Sequence, residues 1–200
     1  MILEGFYGKI SDQLRDKIEK SLKNAERLIK LVDDLLDLSR MEQGRMGFDF
    51  KKIALPEIIE SVYKEMQPQA KEKGLQFIFH KPVKDAFELL GDANKLRDVF
   101  ENLIDNAIKY TQKGKIEINL EKSDHEATVS IKDTGIGLSL KDKKHLFEKF
   151  IRGEKVPRIW TEGIGLGLYV AKLIVDEHKG QIGANSAGEN QGSTFWVKLP

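Results

Sequence analysis

The stretch EATVSIKDTGIGL (126–138) decides how the rest of the chain is read. Ala127, Val129, Ile131 and Asp133 fall on one side of an extended strand, because successive side chains point to opposite faces. Three of these four are apolar, so this side faces a core and the carboxylate of Asp133 leaves the strand toward it. A buried charge needs a partner. Thr134-Gly135-Ile136-Gly137 follows at once, and backbone without side chains can approach a flat ligand closely. A carboxylate that accepts from an exocyclic amine would suit adenine. An Asp-Gly turn accounts for the same residues without any ligand, so both readings stand at this point.

Working upstream, KIEINLEK (115–122) alternates in the same way and makes a hairpin with 126–133. Before it, Asp92 caps a helix that runs to Lys109. At 100° per residue, Asn102, Asn106 and Lys109 lie within an arc of about 60°. They border the apolar face of Leu96, Val99, Phe100, Leu103 and Ala107. Amide oxygens are hard ligands suited to Mg²⁺, and a lysine meets phosphate well. Taken alone, the strip reads more simply as the solvated border of a buried face.

Downstream, GIGLGL (163–168) opens an apolar helix that ends at Gly180. Free N–H groups at a helix start bind phosphate. This is not a Walker A loop, since no Gly-Lys-Ser/Thr follows. It is not a Rossmann fingerprint either, since no clear strand precedes it.

The outer parts complete the frame. Residues 11–43 form one long helix, capped by Ser11 or Asp12 and stopped by Gly44. Ile18, Ser21, Ala25, Leu28, Val32, Leu35 and Ser39 make one seam, and Leu22, Ile29 and Leu36 make a second. Two seams demand more than one neighbour, as in a helical bundle. Phe48 and Phe50 alternate as in a strand, Pro56 opens a helix that ends at Gly74, and 75–80 and 86–90 read as strands. A short helix falls near 139–146, and QIGANS (181–186) and STFWVKL (193–199) are the last two strands. Helices and strands mix without strict βαβ alternation. The fold class is therefore α+β: a long bundle helix, then an α/β sandwich with a mixed sheet and helices on one face.

Composition narrows the function. Two hundred residues make one to two domains. Lys plus Arg number 33 against 32 Asp plus Glu, a net charge of +1, so there is no global basic field of the kind that favours a general nucleic-acid binder. The absence of cysteine excludes a disulfide scaffold, a thiolate zinc site and a cysteine nucleophile. No apolar run approaches the roughly 20 residues that span a bilayer. A cytoplasmic setting is expected, with any membrane anchor outside these residues.

Five motifs stand in order: NLIDNAIKYT (102–111), DTGIGL (133–138), FEKF (147–150) with Arg152, GIGLGL (163–168) and GSTF (192–195). They resemble the N, first glycine, F, second glycine and last glycine boxes of sensor histidine kinases, within the wider GHKL superfamily of ATP-binding domains. RLIKLVDDLLDLSRMEQG (27–44) resembles the second helix of that family's dimerisation and histidine-phosphotransfer hairpin. The resemblance implies two parts: residues 1–45 as part of the hairpin and 46–200 as the ATP-binding catalytic domain. It implies ATP and Mg²⁺ as cofactors. Asn106 would ligate Mg²⁺ with Asn102 beside it, and Lys109 and Tyr110 would face phosphates or ribose. Asp133 would read the adenine amine, with Gly135 and Gly137 lining the base. Arg152 would meet the γ-phosphate or the acceptor. Gly163, Gly165 and Gly167 would cradle phosphates, Thr194 would support the adenine side, and 151–162 would form a lid over ATP. Glu162 stands where the family often has a further glycine, and Trp160 is unusual there.

The family phosphorylates a histidine on the first hairpin helix. The histidines here are His80, His125, His145 and His178, each in a context that suits an ordinary surface or capping residue. The resemblance therefore implies phosphotransfer to a histidine outside this chain, relayed to the Asp of a response regulator receiver domain, with homodimerisation through the bundle helix. Two alternatives are a gyrase-type ATPase and a non-catalytic docking module. The first needs a Glu where Asn102 stands, since an amide cannot act as a general base.

Overall fold

The structure, a computed structural model, describes residues 8, 10–81, 88–123, 126–150 and 165–200. Helix α1 (Asp12–Glu42) begins at Ser11, whose hydroxyl accepts from Leu14 N at 3.3 Å. It ends before Gly44, which takes φ +62° to turn the chain. Leu14, Leu22, Leu28, Ile29, Val32, Leu35 and Leu36 stand exposed along it. The last turns of α1 meet the rest of the protein: Leu38 is buried, and Lys95 reaches Asp37 at 2.9 Å.

Strand β1 (Lys51–Ala54) and helix α2 (Leu55–Glu72) follow, the latter opened by Pro56 in its first turn. Next come β2 (Gln76–His80), β3 (Glu88–Gly91) and helix α3 (Ala93–Tyr110). Then β4 (Lys115–Lys122), β5 (Ala127–Asp133), the short helix α4 (Leu140–His145) and helix α5 (Gly167–Glu177). Strands β6 (Gln181–Asn185) and β7 (Ser193–Leu199) close the chain. β1 and β3 form a separate antiparallel ribbon. The main sheet has the order β2-β4-β5-β7-β6, parallel at β2–β4 and antiparallel elsewhere. The protein is an α+β sandwich with a mixed sheet.

The sheet is one-sided. Ile116, Ile118 and Leu120 of β4, Val129 and Ile131 of β5, and Phe195, Val197 and Leu199 of β7 are buried against the helices. Helix α3 supplies Leu96, Val99, Phe100, Leu103, Ile104, Ala107 and Ile108 to this core. Each large side chain of this kind contributes on the order of 1.5–3 kcal/mol on burial. α2 and α5 flank α3 in the same layer. The other sheet face is half-open, and there Trp196 lies so close to Gly183 that an added Cβ would stand 2.2 Å from its ring.

The structure amends two expectations. Phe48 and Phe50 precede the strand, which starts at Lys51. Their rings instead lie beside His178, at centroid distances of 5.9 and 4.9 Å. His178 does cap α5, but it is buried: Nε2 accepts from Asp92 N at 2.9 Å, and Nδ1 lies 2.7 Å from Ile174 O. Those two contacts require the neutral ring with its proton on Nδ1.

Asp92 joins these parts. Its carboxylate accepts from Asn94 N and Lys95 N at the start of α3, and from Asp49 N at 2.9 Å. Burial opposes its ionisation, but the N–H donors of Asp49, Lys95 and Asn94 outweigh it and lower the pKa. A group with a depressed folded pKa stabilises the fold above its unfolded pKa, about 3.9 for Asp, and loses that contribution as pH falls through the folded value. Asp92→Ala is expected to cost about 2 kcal/mol at neutral pH. The gap in urea midpoint between parent and variant should then shrink on acidification below about pH 4. A gap that is unchanged in acid would show that the ionised carboxylate does not matter.

Candidate nucleotide site

β5 ends on Asp133, and pairing with β7 sets Ser193 directly across from it. Asp133 is 5% exposed. Its Oδ2 accepts from Ser193 Oγ at 2.5 Å, and its Oδ1 accepts from Gly135 N at 2.7 Å and Ser193 N at 3.3 Å. An ionised carboxylate offers about four acceptor positions, so these donors orient the group without exhausting it. Ser193 is the residue that reading by motif missed. Counting back by twos from Leu199, Val197 and Phe195 reaches Ser193, not Thr194. Thr194 pairs in register with Lys132 and Asn185, on the sheet face away from Asp133.

The loop after Asp133 is packed backbone to backbone. A Cβ on Gly135 would stand 2.4 Å from Tyr110 O and 2.9 Å from Asp133 Oδ1. Ile136 N donates to Tyr110 O at 3.2 Å, which ties the loop to the end of α3. Gly137 takes φ +65°, and a Cβ there would strike Gly188 O at 2.1 Å. From the other side, Asn190 N donates to Ile136 O at 2.6 Å and Gly192 N to Gly135 O at 3.1 Å. The loop is thus clasped between the C-terminus of α3 and the β6–β7 turn.

The polar strip of α3 meets the start of α5. Asn106 Nδ2 donates to Asn102 Oδ1 at 3.4 Å. Asn102 packs against Gly167, where a Cβ would stand 2.6 Å from its Oδ1. Asn102 Nδ2 is buried, with no hydrogen-bond partner among the described residues. A buried N–H in that state costs roughly 1–3 kcal/mol. Lys109 Nζ stands 5.8 Å from the centre of the Tyr110 ring, at the same end of α3. Gly165 takes φ +78°, and its carbonyl accepts from Phe150 N at 3.1 Å. Arg152 and Gly163, and the expected lid at 151–162, lie outside the described residues.

The structure therefore brings together Asp133, Gly135, Gly137 and Tyr110 on one side, and Asn102, Asn106 and Gly167 on another, joined through α3. A cleft of about 300 Å³ opens elsewhere, between the end of α1 and α5, with Met41, Met46, Phe48, Tyr169 and Leu173 in its walls. None of the candidate site residues lines it.

Residues 91–200 match the model of the family described as histidine kinase-, DNA gyrase B- and HSP90-like ATPase. The chain belongs to that family, and its ATP-binding domain is of the histidine kinase kind. It is 32% identical over 185 residues to hybrid signal transduction histidine kinase K of Dictyostelium discoideum, covering 86% of this chain and 15% of that protein. The chain thus spans a small part of such relatives. It superposes on histidine kinase AdeS of Acinetobacter baumannii with a TM-score of 0.73 at 26% identity, covering 99% of this chain and 92% of the other. It shares its fold with histidine kinase ThkA in a complex with response regulator protein TrrA, with a TM-score of 0.72 at 23% identity, covering 100% of this chain and 56% of that one.

Gly137→Ala forces a left-handed backbone on a residue with a side chain, which costs about 1–2 kcal/mol before the contact with Gly188 O is counted. A fall in melting temperature without nucleotide is expected. A midpoint equal to or above that of the parent would contradict the clasped loop.

Proposed function

We propose that this chain is the catalytic part of a sensor histidine kinase, which binds Mg-ATP and presents the γ-phosphate to a histidine supplied from outside it. Residues 46–200 are the ATP-binding catalytic domain, and residues 1–45 contribute the second helix of the dimerisation and phosphotransfer hairpin. The observation that carries this reading is the juxtaposition made by α3. One helix sets Asn102, hydrogen-bonded to Asn106, against the first residue of α5, and its end holds the loop that follows the buried Asp133.

The residues fit the group they would hold. Asp133, oriented by Ser193 and Gly135, keeps acceptor capacity for an exocyclic amine. Gly135 and Gly137 let the loop backbone pack directly on Tyr110 O and Gly188 O, which sets its path beside Asp133. Gly165 and Gly167 stand at the start of α5, where N–H groups meet anions, and Gly167 lets Asn102 pack close to it. The unpartnered amide of Asn102 gains an acceptor when an oxygen arrives beside it. Among the described residues no group of three His, Cys, Asp or Glu side chains gathers. Mg²⁺ would be held by the amide oxygen of Asn106, a hard donor, with Asn102 adjacent, together with phosphate oxygens. Bound there, the cation neutralises charge that builds up during phosphoryl transfer.

These residues orient and neutralise, and none has to act as a base. Lys109 adds positive charge at the end of the strip, and Arg152 is assigned to the γ-phosphate. The exposed apolar side chains of α1 fit homodimerisation through the bundle, and the same helix suits docking of a response regulator receiver domain. Among the described residues no helix is long and apolar enough to cross a membrane. The cytoplasm is the compartment that supplies ATP to such a domain.

Asn106→Ala is expected to fold normally, since the position borders the apolar face and alanine favours helix. It should lose most of the Mg-dependent part of the ATP-induced rise in melting temperature. It should also fail to phosphorylate an added hairpin that carries the acceptor histidine. An unaltered Mg-dependent shift would remove Asn106 from the metal site. With γ-labelled ATP, the parent chain should label the hairpin and not itself. Acid-labile label on any of its own four histidines would contradict transfer to an outside acceptor.

A further inference from the structure

The clasp over the loop after Asp133 has a single side chain at its centre. Ser186 lies at the end of β6, on the turn to β7, half-buried. Its Oγ accepts from Leu138 N at 3.1 Å and from Gly188 N at 3.2 Å. The same oxygen lies 2.7 Å from Gly192 O and 3.0 Å from Gly188 O, and its one proton serves one of these carbonyls at a time. Its own carbonyl accepts from Lys143 Nζ of α4. One hydroxyl thus joins the far end of the DTGIGL loop to both ends of the turn that covers it.

The consequence for the site follows from the connections. Gly192, held through its carbonyl, immediately precedes Ser193, which orients Asp133. Leu138 immediately follows Gly137, which faces Gly188 O with no room for a Cβ. Removing the hydroxyl frees both ends of the pair of segments that flank the carboxylate. The strands themselves lose no ladder bond, and Ser186 contributes no side chain to the apolar core.

We propose that Ser186 is a positioning residue for the base half of the nucleotide site. Its hydroxyl fixes the spacing between the glycine loop and the β6–β7 turn, so that Asp133 and the loop backbone meet adenine preorganised. This rests on the reading of Asp133 as the adenine acceptor. The hydroxyl acts on the base half only. Among the described residues, the hydrogen bonds of Ser186 run to Leu138, Lys143, Gly188 and Gly192, and none reaches the amides of α3 or the start of α5.

The test compares parent, Ser186→Ala and Ser186→Thr by calorimetry with ATP and with adenosine, and by melting without nucleotide. Parent binding of ATP and adenosine establishes the underlying reading separately, and its failure would strike that reading, not Ser186. Given parent binding, Ser186→Ala should weaken ATP and adenosine by the same factor, about tenfold. Ser186→Thr, which keeps a hydroxyl, should recover most of the loss. Unchanged affinity in Ser186→Ala, or a loss seen for ATP but not adenosine, would overturn the proposal. Hydrogen exchange on the parent gives a reading independent of any variant. The amides of Leu138 and Gly188 should be protected, and exchange of both at the rate of an open loop would overturn it as well.

Discussion

A carboxylate buried at the end of a strand is the constraint around which this protein is arranged. Removing Asp133 from water is costly unless donors replace the lost solvent. Those donors come from Ser193 on the neighbouring strand and Gly135 in its own loop. Ser193 can reach only if β5 and β7 pair in one register, because a slip of one residue would turn its hydroxyl to the other face. Gly135 can donate only if the chain folds back at once, which brings it against Tyr110 O with no room for a side chain. The charge thus ties strand register, loop path and the end of α3 into one arrangement.

Helix α3 couples that arrangement to the rest of the site. Its apolar face fills the core, and its border carries Asn102, which meets α5, and Asn106 beside it. Its C-terminal carbonyls are held by a cation: Lys73 Nζ donates to Ile108 O at 2.8 Å and Lys109 O at 3.1 Å. Positive charge there also suits the negative end of the helix dipole. Its N-terminus is fixed by Asp92, which in turn is held by His178 at the end of α5. Both ends of α3 and both flanking helices are therefore tied, so the two halves of the site keep their spacing.

Much of this was legible in the sequence where periodicity and burial act together. The strip of Asn102, Asn106 and Lys109 and the inward Asp133 follow from helix and strand geometry alone. Ser193 follows equally from alternation along STFWVKL, whose inward side chains are Ser193, Phe195, Val197 and Leu199, whereas Thr194 of the GSTF motif faces the other way. His178 was read as an ordinary capping histidine because its partners are remote in sequence: Asp92 and the Phe48–Phe50 pair arrive only when the chain is packed. Ser186 is a similar case, since a lone serine on a turn has no periodic signal and its partners are set by the meeting of two loops. The apolar seams of α1 are legible as helical periodicity, and Leu22, Leu28, Ile29, Val32, Leu35 and Leu36 stand exposed in the single chain.

We propose that the oriented carboxylate of Asp133 reads the amine of adenine. The most direct measurement is the affinity of the parent and of Asp133→Asn for ATP and GTP by calorimetry, with Mg²⁺ present. A charge-assisted acceptor bond is worth on the order of 1.5–3 kcal/mol, or about ten- to a hundredfold in affinity. The account predicts that the parent prefers ATP by such a factor and that Asp133→Asn removes the preference chiefly by weakening ATP. Equal loss of ATP and GTP binding in the variant, or a parent that does not distinguish the two, would contradict it.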